Sequence, residues 1–481
     1  MTPAFILTIV ITYFVVLISI SYLTSRKTDS NSFFTGDKSS PWYVVAFGMI
    51  GASLSGVTFI SIPGWVDTQQ FAYMQIVFGY LFGYFVIALI LMPIYYQLNL
   101  TSIYDFLRSR FGKITHKTGT SFFLVSRVLG ASFRLYLVVW VLQEFLFEAL
   151  GISFWQTTLI SILLIWVYTF KSGIKTVIWT DTLQTLFMLG SLFTMLYLLT
   201  SHLNLSFGEI LPTLSFHNYS QIFFFDDFKA SNYFWKHFIG GMFIAISMTG
   251  LDQDMMQKNL TCRSLKDAQK NMFWFSIILV FVNLLFLMLG GLLFLYAQKN
   301  QIVIPERTDL LFPTIALQNI PETFAGVIFL LGLIAAAYSS ADSALTALTT
   351  SFCFDILEFK KEENNTKKRY IVHVGFSLLV FITIQIFNNY LEQNVIHSLL
   401  KIASYTYGPL LGLFAFGIFS KQKITDSYLV VLICLISPSI CFTLGYYSKE
   451  WFNDYSFGHE MLILNGLMTY IGLLLISHKP K

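Results

Sequence analysis

The feature that most constrains this chain is the recurrence of apolar stretches about 20 residues long. An α-helix needs about 20 mainly apolar residues to cross the hydrocarbon core of a bilayer, and thirteen such stretches follow one another along the 481 residues. Charged residues make up only 12% of the chain, about half the share of ~25% found in soluble proteins. The sequence therefore predicts an all-α, polytopic membrane protein whose main partner is the lipid bilayer.

Polar or turn-rich segments separate the predicted spans, and the loops between them are too short for a folded soluble domain. We therefore expect residues 1–481 to form a single integral membrane domain, which we expect to be monomeric. The predicted spans are 5–24, 42–63, 74–98, 119–147, 154–170, 177–199, 236–256, 272–297, 323–353, 370–388, 397–420, 426–446 and 460–477.

Lysine and arginine are distributed unequally between the two sets of alternate loops. About three quarters of the 30 Lys and Arg residues, Lys258 among them, fall in one set of loops, which the positive-inside rule assigns to the cytoplasmic side. The opposite loops contain Lys229, Lys236, Lys299, Arg307 and Lys449. This bias predicts an external N-terminus and a cytoplasmic C-terminus in the inner (plasma) membrane. The formal net charge of +4 indicates no nucleic-acid partner.

Two of the predicted spans contain residues that interrupt a helix. Gly, Ser and Thr are concentrated at 48–58 in the second span and at 240–250 in the seventh. Irregular backbone at membrane depth occurs where it lines a cavity or is buried in protein, and paired interruptions in two halves of a chain indicate a transporter binding site. Small-residue helix packing is the alternative for either segment alone, but the spacing of the pair favours broken helices.

Ionisable side chains inside the spans are candidates for functional residues because they are unfavourable in lipid. Ser339, Asp342 and Ser343 share one face of the ninth span and offer hard oxygen ligands for a cation such as sodium. The serines alone could instead bond to the preceding turn, but this does not explain Asp342. Asp181 lies near the cytoplasmic start of the sixth span, 177–199, where the helix dipole also favours an acid.

Three cations, Arg127, Arg134 and Lys401, fall inside predicted spans. Arg134 lies near mid-bilayer, and Arg127 lies two turns earlier on the same face. A guanidinium at this depth requires an anionic partner, which is either an internal aspartate or a carboxylate or phosphate of the substrate. Lys401 is either a coupling charge or a side chain that extends to the interface.

The chain resembles the sodium:solute symporter family, which includes bacterial sodium-coupled sugar, sialic acid and proline carriers. Six strings carry the resemblance, and their order and spacing cover essentially the whole chain. They are SLSGVTFISIP at 53–63, TSIYDFLRSRFG at 101–112, YTFKSGIKTVIWTD at 168–181, DQDMMQ at 252–257, AAAYSSADS at 335–343 and GPLLGLF at 408–414.

The resemblance implies a LeuT-type core of two inverted five-helix repeats that transports by alternating access. The repeats would be about 42–199 and 236–420, with an extra helix at 5–24 and extra C-terminal helices at about 426–477. The implied main sodium ligands are the carbonyls of Gly51, Leu54 and Ala336 and the hydroxyls of Ser339 and Ser340. A second sodium or proton site would use Asp181, Ser339, Asp342 and Ser343.

The resemblance also implies where the solute binds. Arg134 aligns with an arginine that meets the substrate carboxylate in the sialic acid carriers, and Ser53, Ser55 and Thr58 align with neighbouring substrate contacts. Tyr73 stands at an aromatic substrate-binding position. Val77 stands where those carriers use Gln. Asp342 stands at a position where another member of the family has Ser.

These features together predict a sodium-coupled symporter, with Na⁺ as the co-transported ion. It would import a small polar solute, either an organic anion such as a sugar acid or a sugar, and would not be an enzyme. A multipass membrane enzyme is the main alternative, and it would require a His/Asp or nucleophile cluster that is not visible in the spacing of the eight His. A membrane sensor is the other alternative, although no output domain follows the spans.

Overall fold

A computed structural model of the protein describes residues 3–25, 39–100, 102–169, 174–359, 366–390 and 395–479, and most of these residues are helical. Each of the thirteen predicted spans overlaps a helix or a pair of helices. The helices of the first half are α1 Pro3–Ser25, α2 Trp42–Ser53, α3 Gly56–Gln69, α4 Tyr73–Gln97, α5 Asp105–Arg110, α6 Lys113–Leu150, α7 Phe154–Thr169, α8 Ile174–Leu203 and α9 Ile210–Phe216.

The second half continues the same pattern. Its helices are α10 Phe234–Ala245, α11 Gln253–Asn259, α12 Leu265–Lys299, α13 Leu311–Thr314, α14 Thr323–Ile356, α15 Thr366–Tyr390, α16 Val395–Thr406, α17 Gly408–Phe419, α18 Tyr428–Tyr446, α19 Ser448–Trp451 and α20 Met461–Leu475. One small exception to the all-α prediction is the antiparallel pair of two-residue strands, β1 Lys423–Ile424 and β2 Ser477–His478.

The predicted interruption of the second span lies between α2 and α3, whose axes differ by 55°. The amide of Leu54 still donates to the carbonyl of Ile50 at 2.8 Å, but Ser55 is extended and begins a new helix. Because α2 ends at Ser53, the carbonyls of its last turn have no partner within the helix. These oxygens are therefore available to a ligand or to side chains of other helices.

The seventh span is also interrupted, as predicted. A π-helical turn, Ile246–Gly250, follows α10, and the extended residue Asp252 caps α11 by accepting a hydrogen bond from the amide of Asp254 at 2.9 Å. A third break, which the sequence analysis did not predict, separates α16 from α17 by 45°. Pro409 lacks an amide proton and restricts the residue before it, which ends a regular helix at this point.

Among the described residues, seven helices are long and apolar enough to cross a membrane, and two bent pairs raise this number to nine. The count of thirteen spans and their orientation stay predictions. Helix α14 is buried almost throughout and packs against α8, α6 and α2. Packing is close at Gly51, where a Cβ atom would overlap Oγ1 of Thr185. The end of α2 is thus held directly against α8.

Candidate functional site

A cavity of about 90 Å³ lies beside the break between α2 and α3. By the same measure a single water occupies roughly 10–15 Å³, so the cavity has room for several waters or a small solute. All five residues that the family resemblance assigns to solute binding line this one cavity: Ser53, Ser55, Thr58, Tyr73 and Arg134. They come from α2, α3, α4 and α6 and from the turn between the two halves of the broken helix.

Several residues of the cavity were not found from the sequence. Tyr80 and Tyr84 continue the face of α4 that begins with Tyr73, and the hydroxyls of Tyr73 and Tyr80 lie 3.4 Å apart. Thr249 lies in the π-helical turn, and Asn283 comes from α12. The spacing of the three tyrosines along one helix face could have indicated from the sequence that they line a common site. Asn283 lies in an apolar span, and no pattern around it marks it as a cavity residue.

The two arginines of α6 have different surroundings. Arg127 forms an ion pair with Asp254, and its Nη1 lies 3.5 Å from Oδ2 of Asp252. Tyr407 donates a hydrogen bond to the same Asp252 oxygen at 2.7 Å. Arg127 therefore has its anionic partners within the protein and connects α6 to the second broken helix.

Arg134 is 9% exposed and lines the cavity. Within the part of the chain that the structure describes, no salt bridge to a carboxylate involves Arg134, and its Nε has no hydrogen-bond partner. A buried guanidinium is unfavourable without an anionic partner. The geometry is therefore that of a cation held ready for an anion that enters the cavity.

Two of the residues predicted for the main sodium site, Ser340 and Ala336, lie where α14 crosses the end of α2, whereas the hydroxyl of Ser339 donates to Asp181. The hydroxyl of Ser340 lies 3.4 Å from the carbonyl oxygens of both Ala52 and Ala336. Ala52 is flanked by Gly51 in the last turn of α2, and Leu54 follows that helix directly. The arrangement brings neutral oxygens from two helices together, which is the type of ligand that small hard cations prefer.

The residues predicted for a second sodium or proton site also lie together, but a lysine lies among them. Ser339 donates a hydrogen bond to Oδ1 of Asp181 at 2.6 Å. Nζ of Lys258 lies 2.8 Å from Oδ2 of Asp181 and 2.8 Å from Oγ of Ser343. Lys258 had been assigned to a cytoplasmic loop because it follows the predicted seventh span. It is instead 1% exposed, since α11 extends that span inward to Asn259.

Lys401 lines a second cavity, of about 500 Å³, which we call the histidine-lined cavity after His237, His397 and His459. The lysine side chain is exposed to this cavity rather than paired deep in the protein. Burial, with smaller contributions from the two neighbouring histidines, lowers the pKa of His459 well below its usual range. Lys401 therefore shares this cavity with three histidines.

One cluster bears on the alternative of a membrane enzyme. Nε2 of His116 lies 3.0 Å from Oδ1 of Asp355, and Ser102 donates a hydrogen bond to Oδ2 of Asp355 at 2.8 Å. In a Ser-His-Asp triad the histidine bridges the serine and the acid. Here the aspartate lies between the serine and the histidine, which is not the order of a triad, and its contact with His116 connects α6 to the end of α14.

Comparison with known proteins gives a consistent result over most of the chain. The sodium:solute symporter family matches residues 33–430. The sodium/sialic acid symporter NanT of Aliivibrio fischeri is 26% identical over 474 residues, which cover 93% of this chain and 89% of the relative. The sodium/sialic acid symporter SiaT of Proteus mirabilis is 25% identical over 438 residues, which cover 86% of this chain and 84% of the relative.

The fold is also that of a solved transporter. A substrate-bound, outward-open Na⁺-coupled sialic acid symporter superposes with a TM-score of 0.80 at 21% identity, covering 99% of both chains. The predicted helical membrane-transporter fold is thereby confirmed, as are sodium-coupled symport and Na⁺ as the co-transported ion. The protein belongs to the sodium:solute symporter family.

Proposed function

We propose that this protein imports a small organic anion together with sodium across the plasma membrane by alternating access. The observation that carries the proposal is Arg134, a buried guanidinium that faces the solute cavity and has no salt-bridge partner among the described residues. A carboxylate that binds there would accept two parallel hydrogen bonds from the guanidinium fork. A neutral sugar would leave the charge without a counter-ion.

The other groups of the cavity fit a polar organic anion. Hydroxyls from Ser55, Thr58 and Tyr73 and the amide of Asn283 line the cavity and can hydrogen-bond to a polyhydroxylated or short carboxylic acid. The two curated relatives described above are sialic acid symporters, and sialic acid carries a carboxylate. Because Val77 replaces a glutamine of the sialic acid carriers, we assign the class of the substrate, an organic anion such as a sugar acid, rather than sialic acid itself.

The sodium ion of the proposed cycle would bind next to the solute cavity. Its ligands would be the carbonyls of Gly51, Leu54 and Ala336 with the hydroxyls of Ser339 and Ser340. The position of the Ser340 hydroxyl between carbonyls of α2 and α14 supports this assignment. Because Ser53 and Leu54 belong to the same turn, sodium bound there would order the backbone that also lines the solute cavity.

The energetic coupling follows from this shared turn. Sodium would stabilise the conformation of the α2–α3 break that the anion also needs, so each would raise the affinity for the other by the same factor. An inward-moving sodium ion gains about 2.3 kcal/mol from a potential of 100 mV. The two inverted repeats, about 42–199 and 236–420, would move relative to each other around the site in a single monomeric chain.

The proposal can be tested with purified full-length protein. The melting temperature would be measured with N-acetylneuraminate, gluconate, pyruvate, glucose or galactose, each in NaCl and in choline chloride. We expect one or more anions to raise the melting temperature in NaCl and not in choline chloride, since a ligand that binds only the native state stabilises it. Stabilisation by a neutral sugar but by none of the anions would refute the assignment of the substrate class.

A further inference from the structure

We propose that the ammonium group of Lys258 permanently fills the second cation site, so that the protein binds one sodium ion, at the main site, rather than two. This inference rests on the proposed function and defines its sodium stoichiometry. It replaces the expectation of a second sodium or proton at Asp181, Ser339, Asp342 and Ser343 with a cation that belongs to the protein.

Residues of three helices hold the ammonium group of Lys258 in place. Lys258 is on α11, its Nζ lies 2.8 Å from Oδ2 of Asp181 on α8, and it donates a hydrogen bond of 2.8 Å to Oγ of Ser343 on α14. Oδ1 of Asp254, one turn earlier on α11, lies 3.7 Å away. An ammonium group has three donors and no acceptor, and these three oxygens surround it.

The same oxygens are those that a second sodium would need. Asp181 uses Oδ2 for Lys258 and Oδ1 for the hydroxyl of Ser339. A sodium ion at this point would share its carboxylate with an ammonium group only a few ångströms away. Repulsion between two unit charges at such a distance is strong in a site shielded from water. The ammonium group of Lys258 therefore prevents a second sodium ion from binding at this point.

The cluster is also closed to solvent. Lys258, Asp181, Ser343 and Asp342 are each 1% exposed or less. A lysine that could extend to water would leave this position, but Lys258 has no such route in the present arrangement. Removal of its ammonium would leave Asp181 without its counter-ion, whereas Asp254 would keep its ion pair with Arg127. A sodium ion is the obvious replacement, because it carries the same charge and accepts the same oxygen ligands.

The test is the number of sodium ions that bind to purified full-length protein, measured with ²²Na⁺ at equilibrium. We expect about one ion per chain in the wild type and about two in Lys258→Gln. The double variant Lys258→Gln/Asp181→Asn should return to about one, because it removes the carboxylate that would hold the additional ion. Lys236→Gln is the matched control: it removes another buried lysine of the same broken helix, at its opposite end, where Nζ donates to the carbonyls of Lys229 and Ser456.

Each result decides the inference. Two sodium ions in the wild type, or one ion in a folded Lys258→Gln protein, would overturn it. If Lys258→Gln does not fold, the wild-type count alone still tests the proposal. A wild type that binds no sodium would contradict the proposed sodium-coupled function itself, whereas a single ion in both proteins would contradict only the role of Lys258.

Discussion

Replacement of Arg134 by glutamine is the sharpest test of how the solute is recognised. The variant keeps a hydrogen-bonding side chain in the cavity but removes the charge that has no carboxylate partner among the described residues. Truncation of one partner of a buried, hydrogen-bonded charge pair costs about 2–5 kcal/mol. At about 1.4 kcal/mol per factor of ten, the affinity for an organic anion should fall by roughly 30-fold to several thousand-fold.

The assay is the anion concentration that gives half of the maximal rise in melting temperature at saturating NaCl. Arg134→Lys should fall between the wild type and Arg134→Gln, because it retains the charge without the bidentate fork. Arg110→Gln is the control, since Arg110 donates to the carbonyls of Ser420 and Gln422 far from the cavity, and it should bind the anion as the wild type does. Unchanged anion affinity in Arg134→Gln would refute this account of recognition.

Three further variants probe the surroundings of the site. Ser340→Ala should weaken sodium binding by about tenfold or more without altering the fold, since it removes one charge-assisted ligand; ²²Na⁺ binding equal to wild type would contradict the main-site assignment. Arg127→Met should destabilise the protein by about 3–5 kcal/mol because it leaves buried carboxylates unpaired. In a melting experiment, Arg127→Met/Asp254→Asn should recover part of this loss. Identical melting temperatures of the two variants would argue against the ion pair. Gly51→Ala should impair folding or sodium binding because its Cβ would overlap Oγ1 of Thr185. Gly51→Ala/Thr185→Ala should behave more like the wild type. Unchanged folding and sodium binding in Gly51→Ala would show that α2 is not tightly held here.

The sequence was most informative where a local pattern has a local structural consequence. Gly, Ser and Thr at 48–58 predicted the break between α2 and α3. The family resemblance assigned Ser53, Thr58 and Arg134 to solute binding, and all three line one cavity. The break at Tyr407 was missed because the apolar pattern continues through it, and only Gly408-Pro409 indicates the interruption.

Pairings between distant charges could not be read from the chain. The sequence left open whether an arginine of α6 pairs with an internal acid or with the substrate, and the structure gives a different surrounding to each arginine. Lys258 was misassigned because span boundaries are uncertain by several residues, and a shift of two or three residues moves a lysine from a loop into the protein interior. Asp254 and Lys258 at i and i+4 were a usable signal, because such spacing places opposite charges on one helix face.

The ion pair between Arg127 and Asp254 has a consequence for how the protein is made. The two residues are separated by 127 positions, so α6 leaves the ribosome well before its counter-charges on α11 exist. Arginine is unfavourable in an inserting helix, by about 2.5–3.5 kcal/mol at the helix centre on translocon scales, and Arg127 lies N-terminal to the centre of its predicted span, 119–147. We therefore expect α6 to become more stable in the bilayer once α11 has been made, because Asp254 can then pair with Arg127.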